Sequence, residues 1–211
     1  MKYSTKPYYK RNLPHFQATG DNLYFVTFRL HNSLPRDVLE NIKEEHLFRI
    51  SQIEKSSITY EQKQLLIDEE NRRYFGKFDK FLDTNAKGNH YFKIDSIAQI
   101  AYDALLFFHN SRYEIVCFTI MSNHIHLLIW LSDTVALYGI MHSLKRYIAA
   151  ESNKILNKKG VFWQHENYDR VVRNGDEANR IIEYILNNPV KIGLIANWEE
   201  WKWSFYNQKY I

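Results

Sequence analysis

The hydrophobic positions of this chain alternate between a strand-like period of two and a helical period of about 3.6, which predicts a mixed fold. The segment 24–30 is β-branched and aromatic and predicts the first core strand. Apolar residues at helical spacing follow over 34–53 and 60–82, and again over 94–109. The polar segment 83–90 separates the second of these helices from the third.

The second half of the chain predicts a hairpin of strands followed by two helices. Strands are predicted over 112–121 and 124–131, and the link of only Ser122 and Asn123 indicates a tight antiparallel turn. The remaining elements are a helix, an extended segment and a helix, with predicted bounds of 134–157, 161–172 and 176–188. Asp176 is expected near the start of the last helix, and Pro189 is expected to stop it.

Strands joined in hairpins, with helices between them, predict an α+β fold with a ferredoxin-like antiparallel sheet and helices on its faces. We expect one domain over 1–211, in which residues 1–21 form an N-terminal arm. Residues from about 31 to 95 form a helical insertion after the first strand. The tryptophan-rich tail from 198 to 203 is expected to pack across the sheet.

Charge adds one feature to this picture. The chain has a net charge of +4. The segment from His142 to Arg173 alone holds seven Lys or Arg and three acidic residues, an excess equal to that of the whole chain. A solvated helix face explains such a run about as well as a track for a phosphate backbone does. The aromatic content of 16% favours a ring-rich core, and stacking on nucleic-acid bases is the other use of such rings.

The sequence indicates neither a disulfide-stabilised protein nor a secreted or membrane-spanning one. Cys117 is the single cysteine, so no intrachain disulfide can form, and it lies in an apolar run typical of a buried position. The first residues lack the apolar stretch of a secretory signal, and no window approaches the ~18 apolar residues of a membrane span. We therefore expect a cytoplasmic protein without a membrane partner.

Two histidines form the first candidate site. His124 and His126 flank Ile125 in a predicted strand, so both imidazoles project from one face of the sheet. Two neutral imidazoles side by side can bind one divalent cation. The pair alone is a weak signal, because histidines on a strand face are more often exposed or satisfied within a core.

A tyrosine and an asparagine form a second half-site. Tyr184 and Asn188 lie four residues apart in a predicted helix and therefore share one of its faces. The phenol is a candidate nucleophile, and the amide can complete a metal site or orient a phosphate. Core packing is the alternative for Tyr184, since Ile181 and Ile185 flank it. The rival nucleophiles by residue type, which lack an amide one turn later, are Tyr147 and Tyr168.

The segment 118–129, FTIMSNHIHLLI, resembles the signature of the single-tyrosine transposases with a histidine–hydrophobic–histidine (HUH) motif, the IS200-like group. Within that group the chain most resembles the REP-associated tyrosine transposases. Six further matches follow the family's order, at 11–15, 24–30, 143–147, 161–164, 168–173 and 184–193. Ordered matches are far more specific than any one of them, although the insertion matches only in outline.

The resemblance implies a fold of the HUH endonuclease type and a defined chemistry. His124 and His126 would hold Mg²⁺ or Mn²⁺, Asn188 would complete that metal site, and Tyr184 would be the nucleophile. Such enzymes cleave single-stranded DNA near hairpins, leaving a 5′-phosphotyrosine and a free 3′-OH, and rejoin strands by the reverse attack. The implied role is DNA transposition or mobilisation of REP-like repeats.

The expected partner is single-stranded DNA with a REP-like or transposon-end hairpin, bound by a monomer or a homodimer. The candidate DNA-binding residues are Arg11, His15, Lys145, Arg146, Arg170 and Arg173. Two other functions stay open. One is a module that recognises DNA or RNA hairpins without cutting them, and the other is a metal-dependent RNA-processing hydrolase that forms no protein adduct.

Overall fold

The computed structural model describes residues 8–10, 14–16, 22–85 and 87–210. Its strands are β1 (Tyr8–Lys10), β2 (Pro14–Phe16), β3 (Asn22–Arg29), β4 (Glu114–Ile120), β5 (His124–Leu131), β6 (Tyr168–Val171) and β7 (Ser204–Tyr206). Its helices are α1 (Arg36–Lys55), α2 (Tyr60–Thr84), α3 (Asp95–Phe107), α4 (Leu137–Ile155), α5 (Gly175–Leu186) and α6 (Asn188–Lys191). The chain divides into a helical unit, Asn32–Asn89, and a sheet unit formed by the residues on either side of it.

The sheet unit contains a five-stranded antiparallel sheet in the order β6-β3-β5-β4-β7. Its first four strands, with α3 before β4 and α4 before β6, follow the ferredoxin-like order. The prediction of an α+β fold with an antiparallel sheet is therefore confirmed. Strands β1 and β2 pair separately as a short two-stranded sheet.

One face of the main sheet is covered by α3 and α4 through a single apolar core. Alternate residues of each strand point into this core, including Val26 and Phe28 from β3 and Leu127 from β5. Ala101 of α3 and Ile148 of α4 meet them and are completely buried. Each buried Val, Leu, Ile or Phe side chain contributes about 1.5–3 kcal/mol through burial. The core thus fixes which strand residues are left for the opposite face.

The helical unit consists of α1 packed against α2. Its interior is partly polar: Nδ1 of buried His46 lies 3.3 Å from Oε1 of Glu70, and the His46 ring stacks on Tyr74. Its first and last residues are joined by a hydrogen bond, since the amide of Asn89 donates to the carbonyl of Asn32 over 3.2 Å. None of the described helices has both the length and the apolar character that a membrane crossing requires.

Helix α5 begins at Gly175 with Asp176 in its first turn, as expected, and its cap is Asn174, whose side-chain oxygen accepts from the amide of Glu177 over 2.9 Å. Two other expectations are refined by the structure. In the extended segment 161–172, only β6 pairs as a strand, while Trp163 makes a single bridge to Leu30. The tail does reach the sheet, but it does so by adding β7 to the edge of β4.

The capping box at the start of α2 provides a test of the helical unit. Thr59 accepts from the amide of Gln62 over 3.3 Å, and the Gln62 side chain accepts from the amide of Thr59 over 3.1 Å. We expect Thr59→Ala to lower the free energy of unfolding by about 1 kcal/mol, since one amide loses its acceptor. Denaturant titration followed by circular dichroism measures the change. Exposed Ser57→Ala is the control, expected within about 0.5 kcal/mol of wild type; equal stability of both variants would contradict the capping role.

Candidate active site

The pairing of β3 with β5 brings two distant segments of the sequence together. Thr27 lies opposite His126, and Arg29 lies opposite His124. Residues opposite each other in an antiparallel pair project from the same face. Because Val26, Phe28 and Ile125 point into the core, this polar set occupies the other face of the sheet. The structure therefore brings both predicted histidines to one face, together with a threonine.

The two imidazoles converge through their outer nitrogens. Nε2 of His124 lies 3.0 Å from Nε2 of His126. The inner nitrogens are held by neighbours, since Nδ1 of His124 is 2.6 Å from Oδ1 of Asn123 and Nδ1 of His126 is 2.7 Å from Oγ1 of Thr27. All four side chains belong to residues that are at most 2% exposed. These contacts therefore fix the orientation of both imidazoles, whose Nε2 atoms are available as metal ligands.

Helix α5 contacts β4 and β5 and brings Tyr184 to this face. The rings of Tyr184, His126 and Phe25 contact one another, with centroids 5.3 Å apart for Tyr184–His126 and 6.0 Å for each ring with Phe25. Tyr184 is partly exposed, so its ring is held while the residue stays accessible. Of the rivals, Tyr168 is buried beside Phe25, and Tyr147 is exposed on α4.

Asn188 is completely buried, and neither its Oδ1 nor its Nδ2 has a hydrogen-bond partner within the described residues. A buried amide without partners costs about 1–3 kcal/mol. Asparagine here is thus unfavourable for stability of the chain alone, whereas the same amide is a good ligand for a cation or a phosphate. Imidazole nitrogens and an amide oxygen can each bind a divalent cation, and the role of Asn188 as a ligand beside the histidine pair stays a prediction.

The helix that carries the tyrosine ends differently from the prediction. It breaks at Asn187, one residue before the expected end, and a short helix α6 then runs from Asn188 to Lys191. Pro189 explains the break, since it has no N–H to donate and its ring clashes with the preceding turn. Lys191 is the last residue of α6, and its Nζ lies 5.7 Å from the centre of the Tyr184 ring.

Lys145 has an internal role in the structure. Its ammonium donates to the carbonyls of Gln164 and His165 and to Oδ1 of Asn167, at 2.7, 3.1 and 2.9 Å. Burial lowers the pKa of Lys145 to about 8, and the charge of Arg29 acts in the same direction. These bonds direct the ammonium toward the 164–167 segment, and a DNA contact by Lys145 stays a prediction.

Arg170 and Arg173 flank the start of the tyrosine helix. Arg170 pairs with Glu177, and the backbone amide of Arg173 donates to the other carboxylate oxygen of Glu177 over 2.8 Å. Burial would raise the pKa of Glu177, but the hydrogen bonds from Arg170 and Arg173 outweigh it and hold the pKa below its usual value. Arg170 lies opposite Phe25, on the histidine face, and the guanidinium lies over the Phe25 ring.

The remaining predicted DNA contacts are less constrained. Arg146, the residue after Lys145 on α4, is exposed. Arg11 lies outside the described residues, and for His15 only the backbone, within β2, is described. Sequence reasoning missed Phe25, Thr27, Asn123 and Lys191 as parts of the site. The alternation along the first strand indicates which residues share a face with Thr27. The sequence does not indicate that His126 of β5 lies beside it.

This geometry can be compared with known proteins. The family model described as transposase IS200 like matches residues 99–188, a segment that includes both histidines, Tyr184 and Asn188. The solved structure of a REP-associated tyrosine transposase bound to a REP hairpin is similar, with 16% identity and a TM-score of 0.47. That similarity covers 93% of this chain and 80% of the other. No curated protein matches the chain.

Substitution of Asn188 should affect thermal stability and cation binding in opposite directions. We expect Asn188→Leu to raise the melting temperature by a few degrees, because about 1–3 kcal/mol of desolvation cost is removed. The same change should weaken Mn²⁺ binding by about tenfold or more, because one donor is lost. Differential scanning calorimetry and Mn²⁺ titration by electron paramagnetic resonance measure the two effects.

The matched control is Asn187→Leu on the neighbouring residue. The amide of Asn187 already donates to the carbonyl of Glu183 over 3.0 Å, so its loss should not raise the melting temperature. A lower melting temperature for Asn188→Leu, with Mn²⁺ binding intact, would show that the amide is structural.

Proposed function

We propose that this chain, whose residues 99–188 match the family model described as transposase IS200 like, is a hairpin-directed single-stranded DNA endonuclease and strand-transferase of that family. The observation that carries the proposal is the contact of the Tyr184 ring with His126, beside the converging Nε2 atoms of the histidine pair. A phenol next to a set of cation-binding donors is an arrangement that can support phosphoryl transfer to tyrosine. The proposed biological role is DNA transposition or mobilisation of REP-like repeats.

Tyr184 is the proposed nucleophile. Its phenolic oxygen, once deprotonated, attacks a phosphodiester; a bond from that oxygen to phosphorus forms, and the bond from phosphorus to the 3′ oxygen breaks. The products are a 5′-phosphotyrosine and a free 3′-OH. Because the linkage keeps the energy of the broken bond, attack by a 3′-OH on it rejoins strands without a nucleotide cofactor. Phe25 and His126 restrict the ring, which reduces the entropy lost on reaching the phosphate.

His124, His126 and Asn188 are the proposed ligands of one divalent cation, Mg²⁺ or Mn²⁺. When bound, this cation would polarise a phosphoryl oxygen and offset the repulsion between an anionic nucleophile and an anionic phosphodiester. The chain contributes the orientation: Asn123 and Thr27 hold the inner nitrogens, so the outer nitrogens face one another. Lys191 adds a positive charge near the Tyr184 ring, which favours negative charge on the phenolic oxygen or an incoming phosphate.

Covalent capture of DNA tests the nucleophile. Wild-type protein with Mn²⁺ and an end-labelled single-stranded hairpin should give a labelled protein band on a denaturing gel, and EDTA should abolish it. Tyr184→Phe should give no adduct while retaining hairpin binding, because only the phenolic oxygen is removed. Tyr147→Phe is the matched control, since Tyr147 is an exposed tyrosine on α4 and should leave the adduct unchanged.

The other outcomes would assign different functions. Adduct formation by Tyr184→Phe would overturn the assignment of the nucleophile. Binding of several hairpins without any adduct would favour a module that recognises hairpins without cutting. Cleavage in both wild type and Tyr184→Phe, with a free 5′-phosphate and no adduct, would favour a metal-dependent hydrolase.

Two adjacent cations on α4 provide a test of the DNA-binding surface. Arg146→Ala should leave the melting temperature unchanged, weaken hairpin binding and reduce the slope of log affinity against log salt by about one. Lys145→Ala should lower the melting temperature, because three acceptors of the 164–167 segment lose their donor. Fluorescence anisotropy at several NaCl concentrations, together with thermal unfolding, measures both. Unchanged affinity in Arg146→Ala would exclude that residue from the surface.

A further inference from the structure

We propose that Asn123 and Thr27 set the tautomers of the histidine pair, and that the Thr27 hydroxyl reverses its hydrogen bond when a divalent cation binds. The inference rests on the proposed role of His124 and His126 as cation ligands. It makes Asn123 and Thr27 positioning residues, which act through the histidines and not on the DNA.

Asn123 fixes the tautomer of His124. The side-chain oxygen of Asn123 can only accept a hydrogen bond, and it lies 2.6 Å from Nδ1 of His124. Nδ1 of His124 therefore carries the hydrogen. A neutral imidazole has one N–H, so Nε2 of His124 presents a lone pair. This assignment holds with or without a cation, because the partner cannot change its role.

The tautomer of His126 follows from that of His124. The two Nε2 atoms lie 3.0 Å apart, a distance at which one can donate a hydrogen bond to the other in the cation-free protein. Because Nε2 of His124 carries a lone pair, we assign the hydrogen of this bond to Nε2 of His126. Nδ1 of His126 is then an acceptor, and the hydroxyl of Thr27, 2.7 Å away, donates to it.

Cation binding requires the opposite arrangement at His126. Both Nε2 atoms must then offer lone pairs, so one hydrogen leaves Nε2 of His126 and one is added at Nδ1. The number of protons on the pair does not change. Nδ1 becomes a donor, and Thr27 becomes its acceptor. A hydroxyl can take both roles, which explains why a buried position of β3 that could hold valine holds threonine.

A second threonine provides a matched control. Thr119 lies opposite His126 on the other neighbouring strand, β4, and is completely buried. Its hydroxyl, however, accepts from Ser204 over 2.9 Å. Thr119→Val therefore removes a buried hydroxyl next to the same histidine without removing a partner of the imidazole.

The tautomers can be observed directly by nitrogen-15 magnetic resonance of the histidine rings. In the metal-free wild type we expect the Nδ1–H form for His124 and the Nε2–H form for His126. Saturating Mg²⁺ should convert His126 to the Nδ1–H form and leave His124 unchanged. The same tautomer of His126 in both states would overturn the proposal, even if a Thr27 variant failed to fold.

Mn²⁺ affinity of the full-length protein, titrated by electron paramagnetic resonance, gives the second readout. Thr27→Val keeps the shape but can neither donate nor accept, and should weaken Mn²⁺ binding about 10–100-fold. Thr27→Ser should restore affinity to within about threefold, and Thr119→Val should match wild type. Equal affinity of Thr27→Val and wild type would overturn this inference while leaving the proposed function in place. Failure of wild type itself to bind Mn²⁺ would overturn both.

Discussion

The site depends on the register between β3 and β5. Thr27 and His126 are 99 positions apart in the sequence, yet the pairing of the two strands places them opposite each other and places Arg29 opposite His124. Side chains alternate along a strand, so a slip of one residue would turn the polar set of β3 into the apolar core and expose Val26 and Phe28 instead. The burial of those apolar side chains under α3 and α4 is therefore what keeps the histidine face in place.

Much of this arrangement could be predicted from local patterns. The alternation around Ile125 was sufficient to predict that His124 and His126 share a face. The four-residue spacing of Tyr184 and Asn188 predicted a shared helix face, but the helix ends at Leu186 and Asn188 begins the next one, so the pairing of the two side chains stays a prediction. Local patterns do not encode which strand lies alongside. For that reason Thr27 was not predicted as a partner of His126, and β7 was not predicted as an edge strand.

Charge was the least predictable feature. Lys145 and Arg146 are neighbours in the sequence and look equivalent there. They point about 100° apart around the helix axis, so the ammonium of Lys145 is used within the fold while Arg146 is exposed to solvent. The difference arises from the carbonyls of the 164–167 segment, whose position depends on the tertiary structure. Asn188 shows the converse case: within the described residues its buried amide has no hydrogen-bond partner, which is unfavourable for the stability of the chain alone and is consistent with the proposed role in a site.

The anchoring of Glu177 affects how the tyrosine helix can move. The carboxylate is held by Arg170 and by the amide of Arg173, so the first turn of α5 is attached to the end of β6. Tyr184 lies seven residues farther along, about 10 Å away at 1.5 Å per residue. A tilt of α5 would therefore pivot near Glu177 and produce its larger displacement at the phenol. A few degrees of rotation at this pivot change the position of the phenol by roughly an ångström or less, and displacements on that scale are large enough to affect the proposed attack on a phosphate.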